Sequence, residues 1–209
     1  MRVIPWSQVQ GTELALHARL VIWDNADHRE LTYHNWDHVE SMYQYLADAN
    51  EPYDEALDWA VLFHDIVYDE KPEKEYRSMQ VFADMVERYE GCTPDIWERD
   101  RVCKLIMYTV DHVVTQYPKS SAIVRADLHG LAKRLTAYKN FDKIMKESVT
   151  LYGIDEITFA QNSEDFMRGL KLRVARNAVN DPDHGLFYME VQDGCNATIK
   201  LAQIIQGTL

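Results

Sequence analysis

The chain has 209 residues, 46% hydrophobic and 27% charged, with only 8 Gly and 6 Pro. That composition belongs to a globular protein with a sizeable core and excludes collagenous, low-complexity and disordered classes. The formal net charge of −12 opposes a phosphate backbone, so no extended nucleic-acid partner is expected. A small phosphate ligand stays compatible, because a metal ion or a few Lys/Arg can reverse the field inside one pocket.

The longest apolar runs, residues 59–63 and 105–107, fall far short of the roughly 20 residues a membrane span needs. The opening MRVIPWSQVQ carries no secretory apolar stretch. The cysteines are Cys92, Cys103 and Cys195, without CxxC spacing. A disulfide framework or cysteine zinc site is therefore not expected, and a cytoplasmic location is.

In chain order, helical periodicity dominates. Val39, Met42, Tyr43 and Leu46 follow the i, i+3, i+4, i+7 rule, as do Leu57, Ala60, Val61 and His64. Phe82, Met85, Val86 and Tyr89 form a third set, and Val102, Leu105, Ile106 and Thr109 a fourth. Breaks fall at Asn50-Glu51-Pro52, Lys71-Pro72, Gly91-Cys92-Thr93-Pro94 and Tyr117-Pro118. Later helices are predicted over 122–135, 138–151, 163–178 and 190–205, with a loop at 180–185 before the last. With no repeat and no linker-like stretch, one all-α domain over 1–209 is expected. Trp6, Trp97 and Tyr188 are compatible with self-association as a homo-oligomer, or with the core.

Side chains able to hold a metal fall at pointed places. Tyr33-His34-Asn35-Trp36-Asp37-His38 puts two His four apart; in a helix they would share a face. The apolar run Ala60-Val61-Leu62-Phe63 stops abruptly in His64-Asp65, bringing two donors to the edge of a core. Thr109-Val110-Asp111-His112 follows, and then Asp127, which interrupts the apolar run Ile123, Val124, Ala126, Leu128. Imidazole and carboxylate together suit Zn, Mn, Fe, Co or Ni, and mixed shells of this kind are typical of catalytic sites with open positions. The bland alternatives are a capping pair at His64-Asp65 and a helix N-cap at Asp127.

The order of a His, a His-Asp pair ending an apolar helix and a distant Asp before Leu resembles the HD superfamily of metal-dependent phosphohydrolases. It is closest to small bacterial and phage-type members with the pattern YHxxxH, AxxFHDxVYD, NExxS, TxxH and DxDL. The matching residues are Tyr33-His34…His38, Ala60…Phe63-His64-Asp65-Ile66-Val67-Tyr68-Asp69, Glu75…Ser78, Thr109…His112 and Arg125-Ala126-Asp127-Leu128. The motif core spans about 28–130, and the likeness runs on to about 190.

The resemblance implies an HD-type helical bundle with additional C-terminal helices, and a divalent cation (Mn, Fe, Co, Ni, Zn or Mg) on His38, His64, Asp65 and Asp127. His38 is preferred to His34 as ligand because apolar residues follow it at +4 and +7, as in that superfamily. A local likeness to cyclic-nucleotide phosphodiesterases gives His34 the role of general acid. Their further His and Gly after the His-Asp pair are replaced here by Ile66-Val67-Tyr68-Asp69-Glu70, so the likeness guides roles and not substrate. Glu75, supported by Ser78, and His112 are implied to position water or phosphate, and Lys146, Arg168, Lys171 and Arg173 stand where the subgroup places basic residues. The implied activity is hydrolysis of a small nucleotide-like phosphate ester or anhydride. Two further readings are a catalytically silent nucleotide- or metal-binding HD protein and an HD-type di-iron oxygenase, which needs additional His ligands.

Overall fold

A computed structural model describes residues 4–89 and 95–209. Cys92 and the expected break at 91–94 lie outside the described residues. All regular structure among them is helical. The contacts divide the chain into two compact units, Met1–Asp111 and His112–Leu209.

The first unit holds five helices: α1 (Glu13–Arg29), α2 (Trp36–Asp48), α3 (Glu55–Phe63), α4 (Lys74–Arg88) and α5 (Ile96–Asp111). Helix α3 is its centre, with every residue from Ala56 to Phe63 buried. Asp54 caps its start by accepting from the Leu57 amide at 2.9 Å, which satisfies one of the first-turn donors. Trp59 and Phe63 are almost wholly enclosed, and burying each is worth roughly 1.5–3 kcal/mol. The neighbouring helices bury Met42 and Leu46 of α2, Phe82 and Val86 of α4, and Leu105 and Ile106 of α5, and Phe82 meets Phe63 edge to face at 5.1 Å.

The periodic sets of α2 to α5 lie in helices as expected, except that His64 and Tyr89 are the C-caps of α3 and α4. Helix α1 was not anticipated, because exposed Leu20 and Trp23 blur the apolar stripe made by Leu14, Ala18 and Ile22. A second correction concerns His34. Helix α2 starts only at Trp36, where Asn35 acts as N-cap and accepts from the Asp37 amide at 2.9 Å. His34 therefore precedes the helix, and the shared-face argument for His34 and His38 does not apply.

The second unit contains α6 (Ser120–Leu128), α7 (Arg134–Tyr152), α8 (Glu156–Asn180) and α9 (Gly185–Gln206), with 3-10 turns at His129–Leu131 and Pro182–His184. The helix predicted over 122–135 is thus two helices. The first stops at Leu128, and His129 folds its Nδ1 back on the Ala126 carbonyl at 2.6 Å. Helices α8 and α9 are the main pair of this unit, and α9 begins before the expected residue 190. A cluster of Phe141, Phe159, Ala160 and Ala202 closes one end. Gly194 lets α9 meet the backbone of Leu131, since a Cβ there would stand 1.8 Å from the Leu131 carbonyl oxygen. Of the three aromatics, Tyr188 is buried and Trp97 exposed, while Trp6 donates from its indole to the Glu51 carbonyl at 2.7 Å. Among the described residues no helix is long and apolar enough to cross a membrane.

Candidate metal centre

Three of the expected ligands converge in the first unit. His38, His64 and Asp65 each bring one ligand atom into a group whose members all lie within 4.8 Å of one another. His64 Nε2 is 3.3 Å from His38 Nε2 and 3.1 Å from Asp65 Oδ2, and His38 Nε2 is 3.8 Å from the same oxygen. Donors bound at the roughly 2.0–2.2 Å typical of Zn–N and Zn–O bonds are separated by about 3–3.5 Å from one another. The triad fits one small cation with little movement, and three ligands would leave further coordination positions open.

Local structure explains the convergence. His38 is the third residue of α2, so Asn35 sets where it projects, and its side chain is 3% exposed. His64 is the C-cap of α3. Its Nδ1 lies 2.9 Å from the Val61 carbonyl oxygen. A carbonyl only accepts, so Nδ1 carries a proton and Nε2 is the atom turned to the other two side chains. As imidazolium, His64 donates from Nε2 to Asp65; without that proton it offers a lone pair. The capping role and the site role thus belong to the two nitrogens of one ring. Burial pushes the Asp65 carboxyl up, but His64, with His34 and His38 adding to it, holds it well below the usual carboxylate range.

His34 stands beside this group. Its ring is 6.1 Å from that of His38 and lies flat on Tyr68, at 3.6 Å and 13°. Lys74 Nζ sits 3.7 Å from the centre of the Tyr68 ring. In the sequence Tyr68 is a motif position with no role of its own; its aromatic character beside a His-Asp pair is the available signal for its stacking. Glu75 lies in the first turn of α4 and is half-buried. Ser78, fully buried, accepts from the Val67 amide at 3.1 Å, so α4 braces the loop that follows Asp65.

The remaining expected residues belong to the second unit. Asp127 is the penultimate residue of α6, which excludes the N-cap reading, and its Oδ2 is 3.0 Å from His112 Nε2. An ionised carboxylate only accepts, so the proton lies on Nε2. His112 Nδ1 is buried without a hydrogen-bond partner among the described residues, and its backbone is left-handed at φ 52°. Asn177, fully buried, donates to the His112 carbonyl at 2.7 Å and accepts from the Val114 amide at 2.8 Å. Sequence reasoning missed Asn177; a polar residue in register with Leu170 and Val174 on α8 was its trace.

Lys146 and Arg168 are exposed and pair with acids one turn earlier on their own helices, Asp142 at 2.8 Å and Glu164 at 2.5 Å. Lys171 donates to Asn196 at 2.6 Å. The first two are the i, i+4 pairs of a solvated helical face, whereas Lys171 joins α8 to α9. Comparison of the chain with protein-family models, with curated proteins and with solved structures finds no match.

Proposed function

We propose that the chain is a metal-dependent phosphohydrolase of the HD type, with its catalytic cation on His38, His64 and Asp65. The observation that carries the reading is the convergence of two imidazoles and one carboxylate at separations suited to one cation. A bound cation would supply charge neutralisation at a phosphate oxygen and an acidified water. Val61 holds the tautomer of His64, and Asn35 holds the first turn of α2 that presents His38. His34, set in plane by Tyr68, donates a proton to the leaving oxygen. Lys74 adds positive charge on the far side of Tyr68, which favours an anionic substrate, and Glu75 orients water from the start of α4. A small nucleotide-like phosphate ester or anhydride is the proposed substrate class.

Titration of the protein with Mn(II), beside a phosphate-release screen on a nucleotide panel, tests the reading. Asp65→Ala is expected to lose metal affinity by at least about 100-fold, with the helical signal kept, and to lose turnover. A helical, metal-binding wild type that leaves every phosphate substrate intact overturns hydrolysis in favour of a binding protein. Unfolding of Asp65→Ala points to a structural staple, and metal-dependent oxygen uptake to an oxygenase. Asp127→Ala probes the second unit. Unchanged affinity confines the site to the three residues above, and a tenfold loss adds the fourth ligand expected from the sequence.

A further inference from the structure

The first unit encloses a second polar site that none of the triad lines. It is a cavity of about 10 Å³ between residues 4–10, α1, α2 and α3, with Ser7, Arg19, Trp36 and Tyr43 as its main polar wall. Arg19 Nε and Trp36 Nε1 are both buried, and neither has a hydrogen-bond partner among the described residues. The Arg19 guanidinium is held 4.3 Å from the ring centres of both Trp23 and Trp36. Those rings meet edge to face, 6.1 Å apart, and swinging the guanidinium away would give up both contacts. Two buried donors on residues that line one cavity call for an acceptor there.

The rest of the wall decides its chemistry. Ser7 Oγ donates its proton to Asp58 Oδ1 at 2.8 Å, and Tyr43 Oη donates to the Asp58 carbonyl at 2.8 Å. Both hydroxyl oxygens can then only accept on their other side. Gln10 is engaged with Ile4 and Ser7 through both ends of its amide. The wall therefore offers two donors together with hydroxyl oxygens able to accept, a mixture that suits a water. A halide would satisfy the donors but face hydroxyl lone pairs, and a cation would face two N–H groups. The volume is that of about one water.

We infer that a single internal water occupies this cavity and accepts from Arg19 Nε and Trp36 Nε1. It ties the leading segment and α1 to the first turn of α2, two residues before His38. The test uses the full chain. In water-selective NMR spectra, the Trp36 indole proton, identified among five Trp by its loss in Trp36→Phe or by direct assignment, is expected to show a cross-peak to a long-lived water. A crystal grown in bromide should show one density peak between the two nitrogens without anomalous signal. Three results overturn the inference: no cross-peak with empty density, an anomalous bromide peak in the cavity, or a protein atom within bonding distance of Trp36 Nε1.

Discussion

At the scale of single residues, two nitrogens of one ring explain why His64-Asp65 admits a capping reading beside that of a ligand pair. The sequence showed an apolar helix ending in His-Asp; it could not show that Nδ1 would take the Val61 carbonyl and turn Nε2 inward. The same limit applies to His34. Its spacing from His38 was legible, but Asn35 starts the helix too late for the two to share a face, and a stacked Tyr68 fixes the ring instead. On the proposed mechanism, His34→Ala should leave Mn(II) affinity within about twofold of wild type. It should lower turnover by a factor on the order of 10²–10⁴, the usual contribution of a general acid. An equal effect on substrates with good and poor leaving groups would remove His34 from that role, because a good leaving group needs no proton.

At the scale of elements, the helices with one clean apolar stripe were readable and those with exceptions were not. Phe82, Met85 and Val86 mark α4 from the sequence alone, whereas exposed Leu20 and Trp23 conceal α1. The break after Leu128 depends on His129 folding back on its own turn, a choice that periodicity does not record. The contact of α9 with Leu131 was equally hidden, since a glycine inside a helix reads as a weakness and not as a close approach. Gly194→Ala is expected to cost about 2–3 kcal/mol, because a backbone carbonyl cannot step aside as a side chain can. Thermal unfolding should register this as a fall in Tm of roughly 5–10 °C.

The loop between α3 and α4 carries its own pH dependence. Asp69 receives both arms of Arg77, at 2.6 and 2.8 Å, and the Lys71 amide at 2.9 Å. The Arg77 hydrogen bonds, against an opposing push from burial, draw its carboxyl down to about 2. A carboxyl lowered in the folded state stabilises fully above its unfolded value near 4 and loses that contribution as pH falls through about 2. Arg77→Ala should therefore be less stable than wild type by about 1 kcal/mol at pH 7, a modest figure for a partly exposed pair. Denaturant titrations should show the gap closing between pH 4 and 2; a gap constant over that range would contradict the assignment.

At the scale of the whole molecule, the periodicity of apolar residues foretold an all-helical chain and the short apolar runs no membrane-crossing helix, and the described residues agree. Neither foretold the division at Asp111 and His112, because no Gly-, Ser- or Pro-rich linker marks it. An excess of 34 acidic over 22 basic side chains leaves a self-repelling charge that salt screens over about 8–10 Å near 0.1 M. Raising NaCl from 10 to 200 mM should lift Tm by a few degrees, with KCl equally effective. A fall instead would show that surface ion pairs such as Lys104 with Asp100 outweigh the repulsion.

The bond from His64 to the Val61 carbonyl belongs to the end of α3, so it persists whether or not an ion is present. The ring is aimed beforehand, so on the proposed reading an arriving cation need not wait for a segment to fold around it. Loading should then be paced by how quickly the hydrated ion sheds its own waters. Mn(II), which exchanges water fast, should enter within the mixing time of a stopped-flow instrument, and the more slowly exchanging Ni(II) later, even where Ni(II) is the tighter binder at equilibrium.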